Sequence, residues 1–213
     1  QVVGLVTQPD RPAGRGRDLT PCACRRYAKE RGIVDCITPE NVNAPDSVAW
    51  IRERRPDVIA VVAFGQFLKE EILTLPRHGC VNCHFSLLPK YRGAAPVTAA
   101  LLAGDELTGV SIIRMGMGMD DGPILRKAVE PIYSDDTGDS LMDRLSIAGG
   151  VTLAKTLKLL DAGTLPVPLE QEDAKATFAH KIAKTDGLID WSKSSDYIDR
   201  QIRAYTPWPG CYT

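Results

Sequence analysis

Short apolar runs alternate along this chain with longer segments in which apolar residues recur at helical spacing. The apolar runs, which predict strands, lie at residues 2–7, 33–37, 57–64, 79–84, 108–115 and 124–132. The helical pattern is found at residues 20–31, 45–54, 70–75, 95–103, 137–162 and 194–205. Because strands alternate with helices, we expect an α/β fold with a Rossmann-like, mostly parallel sheet flanked by helices.

Capping and breaking residues define where the helices are expected to begin and end. Thr20-Pro21 predicts a helix start, with Thr20 as the cap and proline in the first turn. Thr137 is expected to cap the longest helix, and Gly149-Gly150 predicts tight packing or a kink within it. The central run at 57–64 is almost continuously apolar, which is typical of a strand buried on both faces.

The run at 79–84 ends in an amide and an imidazole. Asn82 and His84 are two residues apart, so in a strand both side chains point to the same face. Active sites of parallel α/β sheets lie beyond the carboxyl ends of the strands. Phe64, His84 and the glycine-rich loop 116–122 all follow predicted strands. Three segments are therefore expected to converge on one edge of the sheet.

Composition and charge exclude several classes of protein. The chain has 213 residues, 44% of them hydrophobic, and a formal net charge of −1. No apolar run approaches the length of a membrane span. Six cysteines are too few for a disulfide scaffold at this length. Cys22, Cys24, Cys80 and Cys83 could instead offer four thiols to a zinc ion.

The sequence around Asn82 resembles a known family. Asn82-x-His84-x-Ser86-Leu87-Leu88-Pro89, followed by Tyr91-Arg92-Gly93, is similar to the core motif of the formyltetrahydrofolate-dependent formyltransferases. Asp120 follows His84 by 36 residues and is similar in type and spacing to the third catalytic residue of that family. Asp121 is a neighbouring alternative that only the register disfavours. Residues 7–17 and the Pro207-Trp208-Pro209-Gly210 segment are most similar to the methionyl-tRNA formyltransferase branch of the family.

The resemblance implies an organisation into domains. Residues 1–163 are expected to form the catalytic domain, without the first strand and helix of the family. Residues 164–185, which have no strong pattern, are expected to be a linker. Residues 186–213 are expected to begin a truncated C-terminal domain that binds tRNA.

The resemblance also implies a reaction, in which the formyl group of 10-formyltetrahydrofolate is transferred to the α-amine of methionyl initiator tRNA. Asn82 and His84 would donate hydrogen bonds to the oxyanion, Asp120 would accept the amine proton, and no metal is required. The residues expected to contact the folate are Phe64, Gly65, Gln66, Leu68, Ser86, Leu87, Leu88, Pro89, Met117, Gly118 and Met119.

The arginines near the N-terminus have two interpretations. By composition, Arg11, Arg15 and Arg17 belong to a solvated charged loop, whereas the resemblance makes them contacts to tRNA. We expect a monomer without membrane contacts, in the bacterial cytoplasm or alternatively in an organelle matrix.

Other functions remain open on the sequence alone. The alternatives within enzymes are a formyltransferase that acts on a nucleotide-linked aminosugar and a hydrolase of formyltetrahydrofolate. A truncated, non-catalytic module that binds folate or RNA, or a zinc-binding module, would belong to a different class.

Overall fold

The computed structural model describes residues 1–13, 18–33 and 35–213. These residues form two compact units, Gln1–Cys80 and Val81–Thr213. The strands are β1 (Leu5–Val6), β2 (Arg11–Ala13), β3 (Asp18–Thr20), β4 (Cys36–Ile37), β5 (Ile59–Val61), β6 (Cys80–His84), β7 (Arg92–Gly93), β8 (Leu107–Arg114), β9 (Ile124–Pro131) and β10 (Phe178–Ala179). The helices are α1 (Ala23–Glu30), α2 (Pro45–Glu53), α3 (Glu70–Leu73), α4 (Pro96–Ala103), α5 (Gly138–Asp161) and α6 (Ser195–Ala204).

The described residues of the first unit include a short parallel pair, a short antiparallel pair and helices α1, α2 and α3. β1 runs parallel to β4, with Leu5 opposite Cys36. β2 pairs antiparallel with β3, with Arg11 opposite Thr20, where the sequence predicted a loop. A Cβ at Gly4 would lie 2.7 Å from the ring of Trp50, so this position has no space for a larger residue. The packing of α2 against the start of the chain therefore depends on glycine.

The second unit is built on antiparallel strands covered by helices. β6 pairs antiparallel with β8, and β8 pairs antiparallel with β9. A buried core of Val97, Leu101, Val110, Leu141, Leu145 and Ala204 joins β8 to helices α4, α5 and α6. This core is close-packed, and it supports the strand that carries Asn82 and His84.

Most predicted elements are present, with differences at their ends. The cap of α1 is Cys22, and Thr20 instead ends β3. Residues 57–64 form only the three-residue β5, which is partly exposed and not buried on both faces. Helix α5 continues through Gly149-Gly150 without a break, capped as expected by Thr137. The sequence pattern did not indicate that β6, β8 and β9 would be antiparallel, because the spacing of apolar residues does not encode strand direction.

Candidate functional site

The side chains of Asn82, His84 and Asp120 meet at the end of β6. Asn82 Nδ2 donates to Asp120 Oδ1 at 3.2 Å, and His84 Nδ1 lies 3.5 Å from Asp120 Oδ2. His84 is 5% exposed, whereas Asn82 and Asp120 are half-buried. The structure therefore brings together the three residues that the sequence analysis selected from separate segments.

The imidazole of His84 is held by oxygen acceptors on both sides. Its Nε2 donates to the backbone oxygen of Tyr91 at 2.8 Å, since a carbonyl oxygen can only accept. Nδ1 faces the carboxylate of Asp120 at a longer distance. A ring protonated on both nitrogens satisfies both acceptors. Nδ1 is the nitrogen with the looser contact, so it is the one free to turn toward a substrate oxygen.

The carboxylate of Asp120 is held by three residues from two strands, β6 and β7. Oδ2 accepts a hydrogen bond from the backbone N–H of Gly93 at 2.9 Å, in addition to the contacts with Asn82 and His84. Asp120 has a φ of +50°, a left-handed conformation that is unusual for a residue other than glycine. Such strain costs about 1–3 kcal/mol and persists only where the surroundings hold the residue in place. Asp121 makes none of these contacts, so the geometry favours Asp120 of the two neighbouring aspartates.

The turn that follows β6 is tied to β8. Ser111 lies opposite His84 in the β6–β8 pair. Its hydroxyl donates to the backbone oxygen of Ser86 at 2.7 Å and accepts from the N–H of Leu88 at 3.1 Å. Tyr91 has a φ of +60°, which turns its carbonyl oxygen toward His84. The loop 86–93 is thus a rigid wall of the site.

The residues expected to contact a folate belong to both compact units. In the first unit, Gln66 does not present a free amide, because Oε1 accepts from Val42 N at 2.8 Å and Nε2 donates to Pro39 O at 3.0 Å. Leu68 is 4% exposed, so it is a core residue in this unit. Phe64 is half-buried and Gly65 is exposed with a φ of +76°. In this unit, the side chain of Phe64 and the backbone of residues 64–68 therefore remain the groups expected to contact the folate.

In the second unit, the expected folate residues differ widely in exposure. Ser86 and Leu88 are fully buried, and Leu87 and Pro89 are half-buried. Met117 and Met119 are 57% and 61% exposed on either side of Gly118, which gives them the freedom to cover a flat ring. A cleft of about 640 Å³ lies along this wall; the residues lining it are Leu87, Leu88, Pro89, Lys90, Tyr91, Asp105, Leu107, Thr108, Lys127 and Lys175. Asn82, His84 and Asp120 do not line that cleft.

The expected RNA contacts are only partly described. Arg11 lies in β2 and forms an exposed ion pair with Glu40 at 3.4 Å, a contact that contributes little to stability. Arg15 and Arg17 lie outside the described residues. The exposed guanidinium of Arg11 can exchange this surface partner for a phosphate.

Neither a metal site nor a membrane-spanning helix is found in the described part of the chain. No cluster of three or more histidine, cysteine, aspartate or glutamate side chains among residues 1–13, 18–33 and 35–213 is arranged to hold a metal ion. All six cysteines are free thiols. Within the same described ranges, no helix is long and apolar enough to cross a lipid bilayer.

Sequence reasoning missed two residues behind the site. Gln171 donates from Nε2 to the backbone oxygens of Asp120 at 2.8 Å and Gly122 at 2.7 Å. Its Oε1 accepts from Arg92 Nε at 3.1 Å and Arg92 Nη2 at 3.0 Å. Arg92 was noted only as part of a motif, and Gln171 falls in the segment predicted to be a linker. The sequence of that segment carries no pattern that would have singled out Gln171.

Comparisons with known proteins cover almost the whole chain. A family model described as "Formyl transferase" matches residues 1–157, and one described as "Formyl transferase, C-terminal domain" matches residues 181–213. The chain is 47% identical over 212 residues to the methionyl-tRNA formyltransferase of Geobacter metallireducens, which covers 100% of this chain and 68% of that protein. It is 45% identical over 213 residues to the methionyl-tRNA formyltransferase of Pseudomonas paraeruginosa, with coverage of 100% and 68%.

Solved structures share the fold at lower identity. The methionyl-tRNA formyltransferase from Clostridium thermocellum has a TM-score of 0.64 and 19% identity, covering 95% of this chain and 82% of that one. HypX from Aquifex aeolicus in complex with tetrahydrofolic acid has a TM-score of 0.71 and 15% identity, covering 98% and 35%. At these identities the match concerns the fold and not the substrate.

Proposed function

Because the chain belongs to the formyl transferase family, we propose that it transfers a formyl group from 10-formyltetrahydrofolate to the α-amine of methionyl initiator tRNA. The family supports a folate co-substrate, and relatives 42–47% identical over the whole chain are methionyl-tRNA formyltransferases. The observation that carries the proposal is the contact among Asn82, His84 and Asp120 at one strand end.

The hydrogen-bond donors of the site could stabilise a negatively charged oxygen of the transition state. Asn82 uses one amide proton toward Asp120, and among the described residues its second amide proton has no hydrogen-bond acceptor. When the methionyl amine attacks the formyl carbon, negative charge develops on the formyl oxygen. Asn82, through that second proton, and His84, through Nδ1–H, would stabilise it. Prepositioned donors of this kind cost nothing to reorganise during the reaction.

Asp120 suits the proton transfer that completes the reaction. A new C–N bond forms to the amine, the bond between the formyl carbon and N10 breaks, and N10 takes up a proton. Asp120 lies within reach of His84 and Asn82, so it would accept the proton that the amine loses, directly or through one water. The products are formyl-methionyl-tRNA and tetrahydrofolate.

The remaining assignments are proposals with separate support. Residues 1–163 would form the catalytic domain, and residues 186–213 would begin a tRNA-binding domain, in keeping with the two family matches. Residues 164–185 would be the linker between these two domains. Arg11, Arg15 and Arg17 would contact the tRNA. Because the curated relatives are bacterial, the proposed location is the bacterial cytoplasm, and size-exclusion chromatography would check the expected monomer.

The test is a formylation assay with matched histidine variants. The chain is assayed alone and as a chimera in which it replaces the aligned residues of the Geobacter metallireducens relative. His84→Ala is expected to lower kcat by about a hundredfold or more, as for the loss of a donor to an oxyanion. His78→Ala is the control, because His78 belongs to the other compact unit, Gln1–Cys80. Asp120→Asn tests the proposed base.

The outcomes separate the alternatives. Formyl-methionyl-tRNA from the parent and from His78→Ala, but not from His84→Ala, would support the proposal. A chimera that formylates a nucleotide-linked aminosugar and not the tRNA would refute the proposed substrate. A chimera that binds folate but releases no product from either acceptor would refute the proposed activity.

A further inference from the structure

The segment between the two family matches contains a residue that is bonded to the catalytic loop. Residues 158–180 lie outside both family matches, and Gln171 is near the middle of them. Both Nε2 protons of Gln171 are used, one on the backbone oxygen of Asp120 and one on that of Gly122. These two carbonyl groups flank Asp121, so one side-chain amide fixes the loop on both sides of its bend.

Arg92 orients the amide of Gln171. Its guanidinium donates twice to Gln171 Oε1 and once to Asp173 Oδ1 at 2.8 Å. Arg92 is 5% exposed and Gln171 is half-buried, so the bonds between these two residues are largely shielded from water, whereas the side chain of Asp173 is exposed. With Oε1 facing the guanidinium, the nitrogen of Gln171 has to point toward the loop. The Gln171 amide therefore has one orientation, with its oxygen toward Arg92 and its nitrogen toward the loop.

The same segment is bonded along its length to the wall beside His84. β10 pairs in parallel with β7, with Phe178 opposite Arg92. Thr177 accepts from Arg92 N through its carbonyl oxygen at 2.8 Å and from Tyr91 N through its hydroxyl at 2.9 Å. Tyr91 in turn accepts the hydrogen bond from His84 Nε2. Residues 171–179 thus contact the residues that hold both His84 and Asp120.

We propose that Gln171 is a positioning residue for the proposed transfer reaction: oriented by Arg92, it holds the strained Asp120 loop so that the carboxylate faces His84 and Asn82. This inference rests on the proposed function. Without the Gln171 amide, the carbonyl oxygen of Asp120 loses its hydrogen bond. The left-handed backbone conformation of Asp120 is then held less firmly. The carboxylate is then expected to move away from His84.

The decisive variants are Gln171→Ala and Gln171→Glu. Q171E keeps the side-chain length and the contact with Arg92, but a carboxylate cannot donate to the two carbonyl oxygens. Glu172→Gln is the control, because Glu172 is exposed and its carboxylate pairs with the exposed Lys175 and not with Arg92 or the Asp120 loop. We expect both Gln171 variants to lower kcat by about ten- to a hundredfold with little change in either KM, as for a misplaced catalytic group. E172Q should match the parent.

A second measurement does not depend on turnover. The chain has three histidines, so the ring-proton NMR signals of His84 can be assigned with a His84→Asn variant. We expect the His84 signals to shift in Q171E and to stay in place in E172Q, with the melting temperature recorded on the same samples. Inactivity of the chimera toward both acceptors would refute the proposed function, and the His84 signals would still decide the role of Gln171.

Three results would overturn the positioning role. The first is a Q171E protein that keeps both kcat and the His84 signals of the parent. The second is a higher KM with unchanged kcat, which would make Gln171 a substrate contact. The third is a loss of kcat in Q171A and Q171E that simply follows their melting temperatures, which would make Gln171 a stabilising residue only.

Discussion

Two adjacent glycines in α5 provide a test of the packing beneath the site. Gly149 is buried and Gly150 is exposed, and both lie inside the same helix. A Cβ at Gly149 would lie 2.9 Å from Cys83 Sγ and 3.3 Å from Phe85 Cε1, whereas a Cβ at Gly150 would meet nothing within 4 Å. Gly149→Ala and Gly150→Ala are therefore expected to have opposite effects on the free energy of unfolding.

The magnitudes follow from two contributions. Replacing glycine by alanine in a helix interior stabilises a protein by about 1 kcal/mol, and this gain applies to both positions. At Gly149 the added methyl group also overfills a packed core, which costs about 1–3 kcal/mol. G150A should therefore be about 1 kcal/mol more stable than the parent, and G149A between about unchanged and 2 kcal/mol less stable.

Thermal and urea unfolding followed by circular dichroism measure the difference. For a chain of this size, G150A is expected to melt about 2–4 °C above the parent and G149A at or below it. Because Cys83 lies between Asn82 and His84 in β6, G149A should also lower formylation activity, whereas G150A should not. In a Cys83→Ala background, much of the penalty at Gly149 should disappear, since the nearest atom is gone.

Two results would contradict a packing cost between Gly149 and Cys83. If both alanines raise the melting temperature equally, the close approach of Gly149 to Cys83 does not constrain this helix. If G149A is destabilised to the same extent with and without Cys83, the cost comes from another contact.

Three further predictions concern other parts of the molecule. Gly93→Ala should be destabilised and should lose activity, because Gly93 has a φ of +113° and an added Cβ would lie 2.6 Å from a backbone oxygen; calorimetry and the formylation assay check this. Burial alone would raise the pKa of Asp136, but hydrogen bonds, first that from Arg144, outweigh it and hold this pKa below its usual 3.8. The stabilisation by Asp136 is thus present above its pKa in the unfolded chain and is lost as the pH falls through its pKa in the folded protein. Asp136→Ala should lower the free energy of unfolding by about 3 kcal/mol at neutral pH. Urea unfolding at several pH values should show a weaker loss of stability with acid in this variant than in the parent. Burial raises the pKa of the Cys80 thiol to about 12, so a thiol reagent should modify exposed Cys24 quickly and Cys80 only after unfolding, as mass spectrometry of the labelled peptides would show.

The family and the fold class were correctly predicted from the sequence. The comparisons confirm the resemblance and the Rossmann-like formyltransferase fold. A strand end followed by a proline- and glycine-rich turn is a local feature, so Asn82 and His84 were visible without a structure. The contact between His84 and Asp120 was expected from the family spacing, and the structure has them 3.5 Å apart. Their catalytic roles stay predictions.

The linker segment shows why other features were missed. β10 has two residues and pairs with the two-residue β7, which is too short to produce a periodic pattern. Gln171 donates to the backbone oxygens of Asp120 and Gly122, which are 51 and 49 positions away. Every residue has a backbone oxygen, so the residue types at these positions do not predict the hydrogen bonds. Gln66 was expected to face a ligand, but its amide braces the loop at Pro39 and Val42. Hydrogen bonds between a side chain and distant backbone groups therefore cannot be predicted from the residue types of the backbone partners.

The bonds of Gln171 also have a consequence for biosynthesis. A ribosome makes the chain from the N-terminus, so His84 and Asp120 leave the exit tunnel before residues 171–179. At translation rates of about 5–20 residues per second, the 51 residues that separate Gln171 from Asp120 take about 3–10 s to synthesise. During that interval the nascent chain contains Asn82, His84 and Asp120 without the amide that braces the loop of Asp120. We therefore expect the enzyme to become able to catalyse the reaction only late in its own synthesis, after residues 171–179 have been made.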